Sequence, residues 1–408
     1  MRPSGFRSTV AWLALGQILN WAALFYAFSS FVLPMQRELH WDKASMMGAL
    51  TLGLALWGAC TYVVGAAIDR GHGRWVMSGG SLLAALGFVA WACVTQPWML
   101  YAVWIALGAA MAMTLYDPAF LILTKRFPSH YRQGITALTL VGGFASTLCF
   151  PAVNALIAWL GWRAALLVIA AVLGLVVLPL HLWALRGAAT ATPVATAGDA
   201  DDASLRHALR TPAFWLLSLS FTLFAFGTAA LWAHVMPIFA AKGFDEVQAT
   251  AVLVWIGPAQ VLGRLVFAGG GSRVSLRALG IVVLLAMPLA LVILALAQRP
   301  ATLLLFALVF GLANGLVTIV RGSLVPEFFG RRHVGRIGGA MNGVGLLARA
   351  AAPLLTAWVL LAVGGYVHVL WLLAALGLGG ALAFAVARKP AARAAPAGAD
   401  RTDRRAAT

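Results

Sequence analysis

Twelve apolar stretches, each long enough to cross a lipid bilayer, occupy most of this chain of 408 residues. A helix spanning a hydrocarbon core of ~30 Å needs about 20 apolar residues. The stretches centre on residues 10–34, 44–68, 75–95, 98–123, 135–160, 163–185, 212–239, 247–268, 278–298, 302–326, 339–362 and 366–387. Lipid offers no hydrogen bonds, so each backbone must satisfy itself, and a helix does so within one segment. The pattern predicts an all-α membrane protein. Composition agrees: 62% of residues are hydrophobic and 10% are charged, against about 25% charged in soluble domains. The run from Val10 to Leu33 follows Arg2 and Arg7. It is too long for a signal-peptide core and no small-residue cleavage site follows, so it reads as a retained helix.

The formal net charge of +17 does not imply a nucleic-acid partner, because the basic residues sit in short loops between apolar runs. Of the 29 Lys and Arg residues, 21 fall on one side when the N-terminus is placed in the cytoplasm. Five fall opposite, at Arg37, Lys43, Arg163, Lys242 and Arg299, and three lie inside helices. The positive-inside rule therefore predicts both termini in the cytoplasm. Arg186–Thr211, rich in Ala, Thr, Pro and Asp, reads as a cytoplasmic linker with a short surface helix near Leu205–Leu209. The tail beyond Arg388 reads as disordered. The expected organisation is a six-helix bundle over 1–185, a linker over 186–211, a second bundle over 212–387 and a tail over 388–408. Cys60, Cys93 and Cys149 all fall in apolar runs, which implies no disulfide framework and no zinc site. Lysine is confined to Lys43, Lys125, Lys242 and Lys389, and with the alanine content this points to a GC-rich bacterial genome. The expected location is the bacterial inner membrane.

The two halves repeat. At a constant offset of 203 residues Trp12 matches Trp215, Pro34 matches Pro237, Asp42 matches Asp245, Arg70 matches Arg273, Arg74 matches Arg277 and Gly108 matches Gly311. Later the offset drifts by one, pairing Pro151 with Pro353. Parallel repeats of six helices are one architecture of transporters, with the solute site at the repeat interface.

After the second apolar run the chain reads Gly65-Ala66-Ala67-Ile68-Asp69-Arg70-Gly71-His72-Gly73-Arg74. This resembles the loop motif of the major facilitator superfamily. A degraded copy follows the eighth run, where Ser272 replaces the acid before Arg273 and Arg277. The resemblance spans the whole chain and implies two pseudo-symmetric six-helix bundles, alternating access, and a cavity lined by helices 1, 2, 4, 5, 7, 8, 10 and 11. It makes Asp69, Arg70, Arg74, Arg273 and Arg277 a cytoplasmic gate, with Asp69 capping a helix or pairing with a cation across the half-domain interface. Thr211–Trp215 opening the seventh helix, and Gly263-Arg264 in the eighth, look like the monocarboxylate and oxalate/formate exchanger branch. In that branch cations in helices 8 and 11 hold the carboxylate, matched here by Arg264 and Arg349. Gln260 stands where monocarboxylate transporters carry an Asp, and Gly16-Gln17 with Asn20 replaces their acidic signature in helix 1. Coupling and substrate therefore stay open.

Charge inside the membrane costs roughly 2.5–3.5 kcal/mol even on lenient scales and marks function. Asp117, Arg264, Arg321 and Arg349 stand inside helices 4, 8, 10 and 11, all of them helices that line the cavity in the resembling family. By helical rise, Arg264 lies about 13 Å above Arg273 and Asp117 about 12 Å above Lys125. Helical spacing aligns Gln260 with Arg264, Asn314 with Arg321, Asn342 with Arg349, and Ser220 and Gly227 with His234. Pro258 is positioned to loosen the helix near Arg264.

Three arginines against one aspartate leave two positive charges in excess, and guanidinium meets carboxylate with paired hydrogen bonds. The expected solute is a small organic anion. Arg264 and Arg349 would bind it, with Asn20, Gln260, Asn314, Tyr116 and His234 around it. Asp117 and Arg321 would serve as counter-ions or proton carriers. The competing reading makes Arg321 and Asp117 a structural pair, Asp117-Pro118 a kink, His234 an interfacial histidine, and Tyr116, Tyr26 and most tryptophans lipid-facing or packing residues. An exporter of drugs or neutral metabolites shares the fold. A membrane sensor would need a soluble domain that the linker and tail are too short to form. No cluster of His, Cys or carboxylates suggests an enzyme, and no phosphate-binding loop suggests an ATP-driven pump. The expected partners are the organic anion, the bilayer and protons; no cofactor is expected, and the protein is read as a monomer.

Overall fold

A computed structural model describes residues 5–186, 203–270 and 274–390. Its membrane helices are α1 (Phe6–Leu39), α2 (Lys43–Asp69), α3 (Gly73–Ala92), α4 (Pro97–Arg126), α5 (131–160), α6 (162–184), α7 (Pro212–Ala241), α8 (Val247–Gly269), α9 (Leu276–Leu296), α10 (Pro300–Phe329), α11 (Val334–Val363) and α12 (Tyr366–Val386). Helices α5 and α6 run on through 54 residues, Tyr131–Ala184, with a turn at Gly143–Phe144 inside α5 and no loop between the two helices. That is far beyond one bilayer crossing, and the chain reverses at Gly161, whose φ of 78° and ψ of 163° leave the helical region. Only glycine adopts that conformation without steric cost.

The twelve helices form two six-helix lobes, α1–α6 and α7–α12, and the lobes share details that their sequences hide. Asp42 caps α2 by accepting from Ser45 N at 2.8 Å. Its counterpart Asp245 caps α8 by accepting from Gln248 N at 2.7 Å, and Gln248 Oε1 accepts in return from Asp245 N. Such caps satisfy orphan amides at a helix start. The last carbonyls of α3, on Ala92 and Val94, accept from Arg163, while those of α9, on Ala295 and Ala297, accept from Lys242. These carbonyls are again 203 residues apart, although the cations that serve them are not. Likewise Arg126 serves Ala184 and Arg277 serves Ala387.

Within lipid the hydrophobic effect does not drive helices together, so close packing depends on small residues. Gly108 of α4 sits on the backbone of Gly53 in α2, and its counterpart Gly311 of α10 sits on Ile256 of α8. Large side chains point outward instead: Trp159 and Leu361 are each 83% exposed, as befits a surface solvated by acyl chains.

The lobes meet through α2 with α11, α5 with α8 and α10, and α4 with α10 and α11. The contacts lie toward the end that carries the basic loops. Gly65 touches Gly335, Tyr62 touches Gly339, Gly58 touches Leu346 and Phe120 touches Gly322. Toward the opposite end, residues 145–160 and Glu246–Leu253 have no principal contact across the interface. Among the described residues the lobes are thus joined at the basic end and apart at the other. Ser204 caps a single helical turn, Leu205–Ala208, before α7. The rest of the expected linker, 187–202, and the tail from residue 391 lie outside the described residues.

Candidate functional site

The centre of the interface is set by a break in α4. Pro118 cannot donate to the carbonyl four residues back and its ring crowds it. Leu115 leaves the helix, with φ −75° and ψ −160°. The freed Thr114 carbonyl accepts instead from Gln17 Nε2 of α1 at 2.8 Å. The helix restarts at Tyr116, and so two consecutive side chains, Tyr116 and Asp117, are presented at the break. Asp117 meets an arginine of the other lobe, and the Tyr116 hydroxyl lies against the glycine next to the one that a second arginine reaches.

Arg264 of α8 is 5% exposed. Its Nε donates to the Gly315 carbonyl of α10 at 3.1 Å. Its guanidinium crosses the interface onto Gly143 of α5, where a Cβ would collide with it. The neighbouring Gly142 makes room for the Tyr116 hydroxyl. The interruption of α8 falls at Val254–Trp255, one turn before Pro258 and thus at the carbonyl that a proline displaces.

Asp117 pairs with Arg321 of α10, Oδ1 to Nη2, at 3.3 Å. Arg349 of α11 feels both Arg321 and Asp117. Among the described residues it has no ion pair or side-chain hydrogen bond, and Arg264 has no carboxylate partner either. Asp117 and Arg321 line a cavity of about 50 Å³ with Asn342, Gly65 and Gly335. At roughly 10–15 Å³ per water, this space holds a few water molecules and no organic solute.

The other expected site residues divide. Asn20 of α1 is fully buried and both its amide atoms lack a partner. Gln260 packs its backbone against Gly315, and its half-buried side chain precedes Arg264 by one turn. Asn314 is half-buried on α10, two turns before Arg321. His234 is drawn away from the centre. Its Nε2 lies 3.0 Å from the Pro353 carbonyl and its Nδ1 3.4 Å from the Tyr366 hydroxyl, tying α7 to α11 and α12 within one lobe.

At the basic end Asp69 spans the interface. Its carboxylate accepts from the backbone N–H of Gly335 at 3.1 Å and of Arg336 at 2.9 Å, capping α11 of the other lobe. Lys125 lies 3.0 Å from the same carboxylate and donates to the Arg332 carbonyl. Arg132 of α5 pairs with Glu327 of α10. Arg70 is exposed, and Arg74 stacks over Trp75 at 5.2 Å. Arg277 donates to the Ala385 and Ala387 carbonyls and so serves α12 of its own lobe. Arg273 lies outside the described residues.

The family model of the Major Facilitator Superfamily matches residues 13–353. The chain belongs to the major facilitator superfamily. Solved members share its architecture. The human organic anion transporter MFSD10 (TETRAN) superposes with a TM-score of 0.72 at 18% identity, covering 94% of this chain and 100% of that one. The proton:xylose symporter XylE bound to 6-bromo-6-deoxy-D-glucose gives 0.70 at 15%, covering 94% and 95%. The transporter FucP in the outward conformation gives 0.72 at 13%, covering 95% and 100%. No curated protein sequence matches the chain. This facilitator is a multi-pass membrane transporter.

Three features of the facilitator's site escape a reading of its sequence. The first is the part played by Gly142-Gly143, a pair that resembles the Gly-rich helix 5 motif of drug–proton antiporters and whose missing side chains seat Tyr116 and Arg264. The second is Lys125, which locks the acid of the basic end. The third is an aromatic cluster. Trp21, Phe25 and Tyr26 follow one another across a widened turn of α1, in which Ala27 N bonds the Ala22 carbonyl five residues back. Trp21 lies 4.9 Å from Tyr116 and 6.0 Å from Trp57. Tryptophan and tyrosine ordinarily mark the membrane interfaces, so sequence alone sends these rings to lipid or to packing.

Proposed function

We propose that the chain is a secondary transporter of a small organic anion, a carboxylate, working by alternating access between its two lobes. One observation carries this reading: Arg264 and Arg349 reach the interface from the second lobe without an acidic partner among the described residues. A buried cation left unpaired is costly, and an anionic solute supplies the missing charge through paired hydrogen bonds. Arg264 is the primary ligand, and Arg349 draws the anion toward the Asp117–Arg321 pair. Gln260, Asn314 and Asn20 supply neutral contacts. Asp117 is the proton site: protonation releases Arg321 and so weakens a bond between lobes. That the structural neighbour MFSD10 is an organic anion transporter agrees with this reading; membership of the monocarboxylate and oxalate/formate exchanger branch belongs to it too.

With both termini in the cytoplasm of a bacterial inner membrane, the closed basic end is cytoplasmic and the conformation faces outward. Asp69, Lys125 and Arg70 then belong to the cytoplasmic gate. The test is carboxylate uptake into proteoliposomes. Arg264→Ala abolishes it while leaving the protein folded, and Asp117→Asn removes its dependence on a proton gradient. Undiminished uptake in both Arg264→Ala and Arg349→Ala would falsify the anion site. Export of neutral drugs by the same fold would then be the better reading.

A further inference from the structure

The aromatic cluster has no counterpart in the second lobe. At the offset of 203 residues, Trp21, Phe25, Tyr26, Trp57 and Tyr116 correspond to Phe224, Thr228, Ala229, Gln260 and Ile319. Four of the five positions carry no ring, and the backbone differs there too: α7 and α10 run unbroken where α1 widens at Ala22–Tyr26 and α4 breaks at Leu115. A different cluster in the first lobe shows what packing alone looks like. Phe31, Phe88, Trp91 and Trp104 are fully buried, with no charged group among them. Trp21, Phe25 and Tyr26 are instead partly exposed, while Trp57 and Tyr116 are buried; the Tyr116 hydroxyl and the Arg264 guanidinium lie against the adjoining glycines Gly142 and Gly143.

Two polar groups beside the rings also lack partners. Among the described residues both amide atoms of the fully buried Asn20 lack a partner, and so does the buried Trp21 indole N–H next to it, as does that of Trp104 in the packing cluster. Buried polar groups are nearly always hydrogen-bonded, and a few convergent donors in an apolar wall are what orient a ligand. Aromatic rings favour offset or edge contacts with another ring at 4.5–7 Å between centroids, the spacing at which Trp21 already holds Tyr116, Trp57 and Phe25.

We infer that the solute is an aromatic carboxylate, its ring received by Trp21, Trp57 and Tyr116 of one lobe and its carboxylate by Arg264 of the other. The inference rests on the anion reading above and narrows it. Such a ligand touches both lobes at once, which a small dicarboxylate held by arginines of the second lobe alone does not. It enters from the open side, since the cavity of about 50 Å³ below is too small for it.

The test is binding to the purified full-length protein, followed by calorimetry and thermal shift. The probes are benzoate, cyclohexanecarboxylate, acetate, oxalate and uncharged benzyl alcohol. Benzoate is expected to bind about tenfold more tightly than acetate or oxalate and more tightly than cyclohexanecarboxylate. Trp21→Leu should erase that preference, bringing benzoate down to the affinity of cyclohexanecarboxylate. Acetate, oxalate or cyclohexanecarboxylate binding as well as benzoate overturns the aromatic inference and leaves the anion reading standing. Benzyl alcohol binding where no carboxylate does overturns both. Should Trp21→Leu not fold, the ranking on the wild-type protein decides alone.

Discussion

The two lobes are built alike and equipped differently. The same caps, the same terminal carbonyls and the same glycine crossings recur 203 residues apart. Yet the arginines Arg264, Arg321 and Arg349 belong to the second lobe, and their counterparts in the first are Thr61, Pro118 and, at the drifted offset, Thr147. The first lobe holds Asp117, the rings and Asp69. Duplication thus supplied a scaffold whose shared features hold each lobe together. The features that differ face across the interface.

This contrast can be broken most sharply by reversing it. Asp117→Arg and Arg321→Asp, each alone, place like charges together at mid-membrane and should destabilise the fold by about 3–5 kcal/mol. The double exchange restores the pair and should recover most of the melting temperature, but not transport, because the field around Arg349 is inverted. Recovery of transport would show that only the bond between lobes matters.

A smaller effect is expected at the closed end, where Gly65 and Gly335 meet backbone to backbone. Gly335→Ala wedges the lobes apart. Cysteine probes on the basic side should become reactive and those on the open side less so, without loss of folded protein. Asp69→Asn acts in the same direction by weakening two charge-assisted bonds, each worth about 1.5–3 kcal/mol at most. An unchanged accessibility pattern in both variants would count against the gate.

The shared features should respond equally. Asp42→Ala and Asp245→Ala each remove one helix cap and should each cost about 1 kcal/mol in unfolding experiments. A large inequality would mean that one lobe leans on its cap for more than local stability. The least effect is one of pH. Burial holds His333 below the ordinary imidazole value of 6.5 against the pull of Asp69, with Arg332, Arg336 and Lys125 adding to the depression. Packing therefore favours the neutral ring. Its contribution is complete above pH 6.5 and declines as pH falls through the lowered value. The melting temperature of the wild type should drop slightly more than that of His333→Gln over that range.

Much of the fold was legible in the sequence, because bilayer thickness imposes a length that composition reveals. The twelve runs and the 203-residue offset needed no structure, although the absence of a loop at Gly161 was invisible to hydropathy. The site was legible only where it is charged. Asp117, Arg264, Arg321 and Arg349 are conspicuous because ions in lipid are expensive. Their partners are not conspicuous. A helix that is apolar all round gives no clue to which side meets lipid and which meets the opposite lobe. Trp21 and Trp57 therefore look like any membrane tryptophan, and His234, promising by its spacing, is held within its own lobe by Pro353 and Tyr366.

The turn at Gly161 also bears on how the molecule moves. A hinge needs slack, and a connection of one residue between α5 and α6 has none. In the alternating access proposed above, the part of α5 beyond the turn at Gly143–Phe144 moves only if α6 swings with it, dragging its acyl-facing surface through the bilayer. Helices of the interface are thereby harnessed to helices of the rim, and resistance from the surrounding lipid becomes part of the work of each transport cycle.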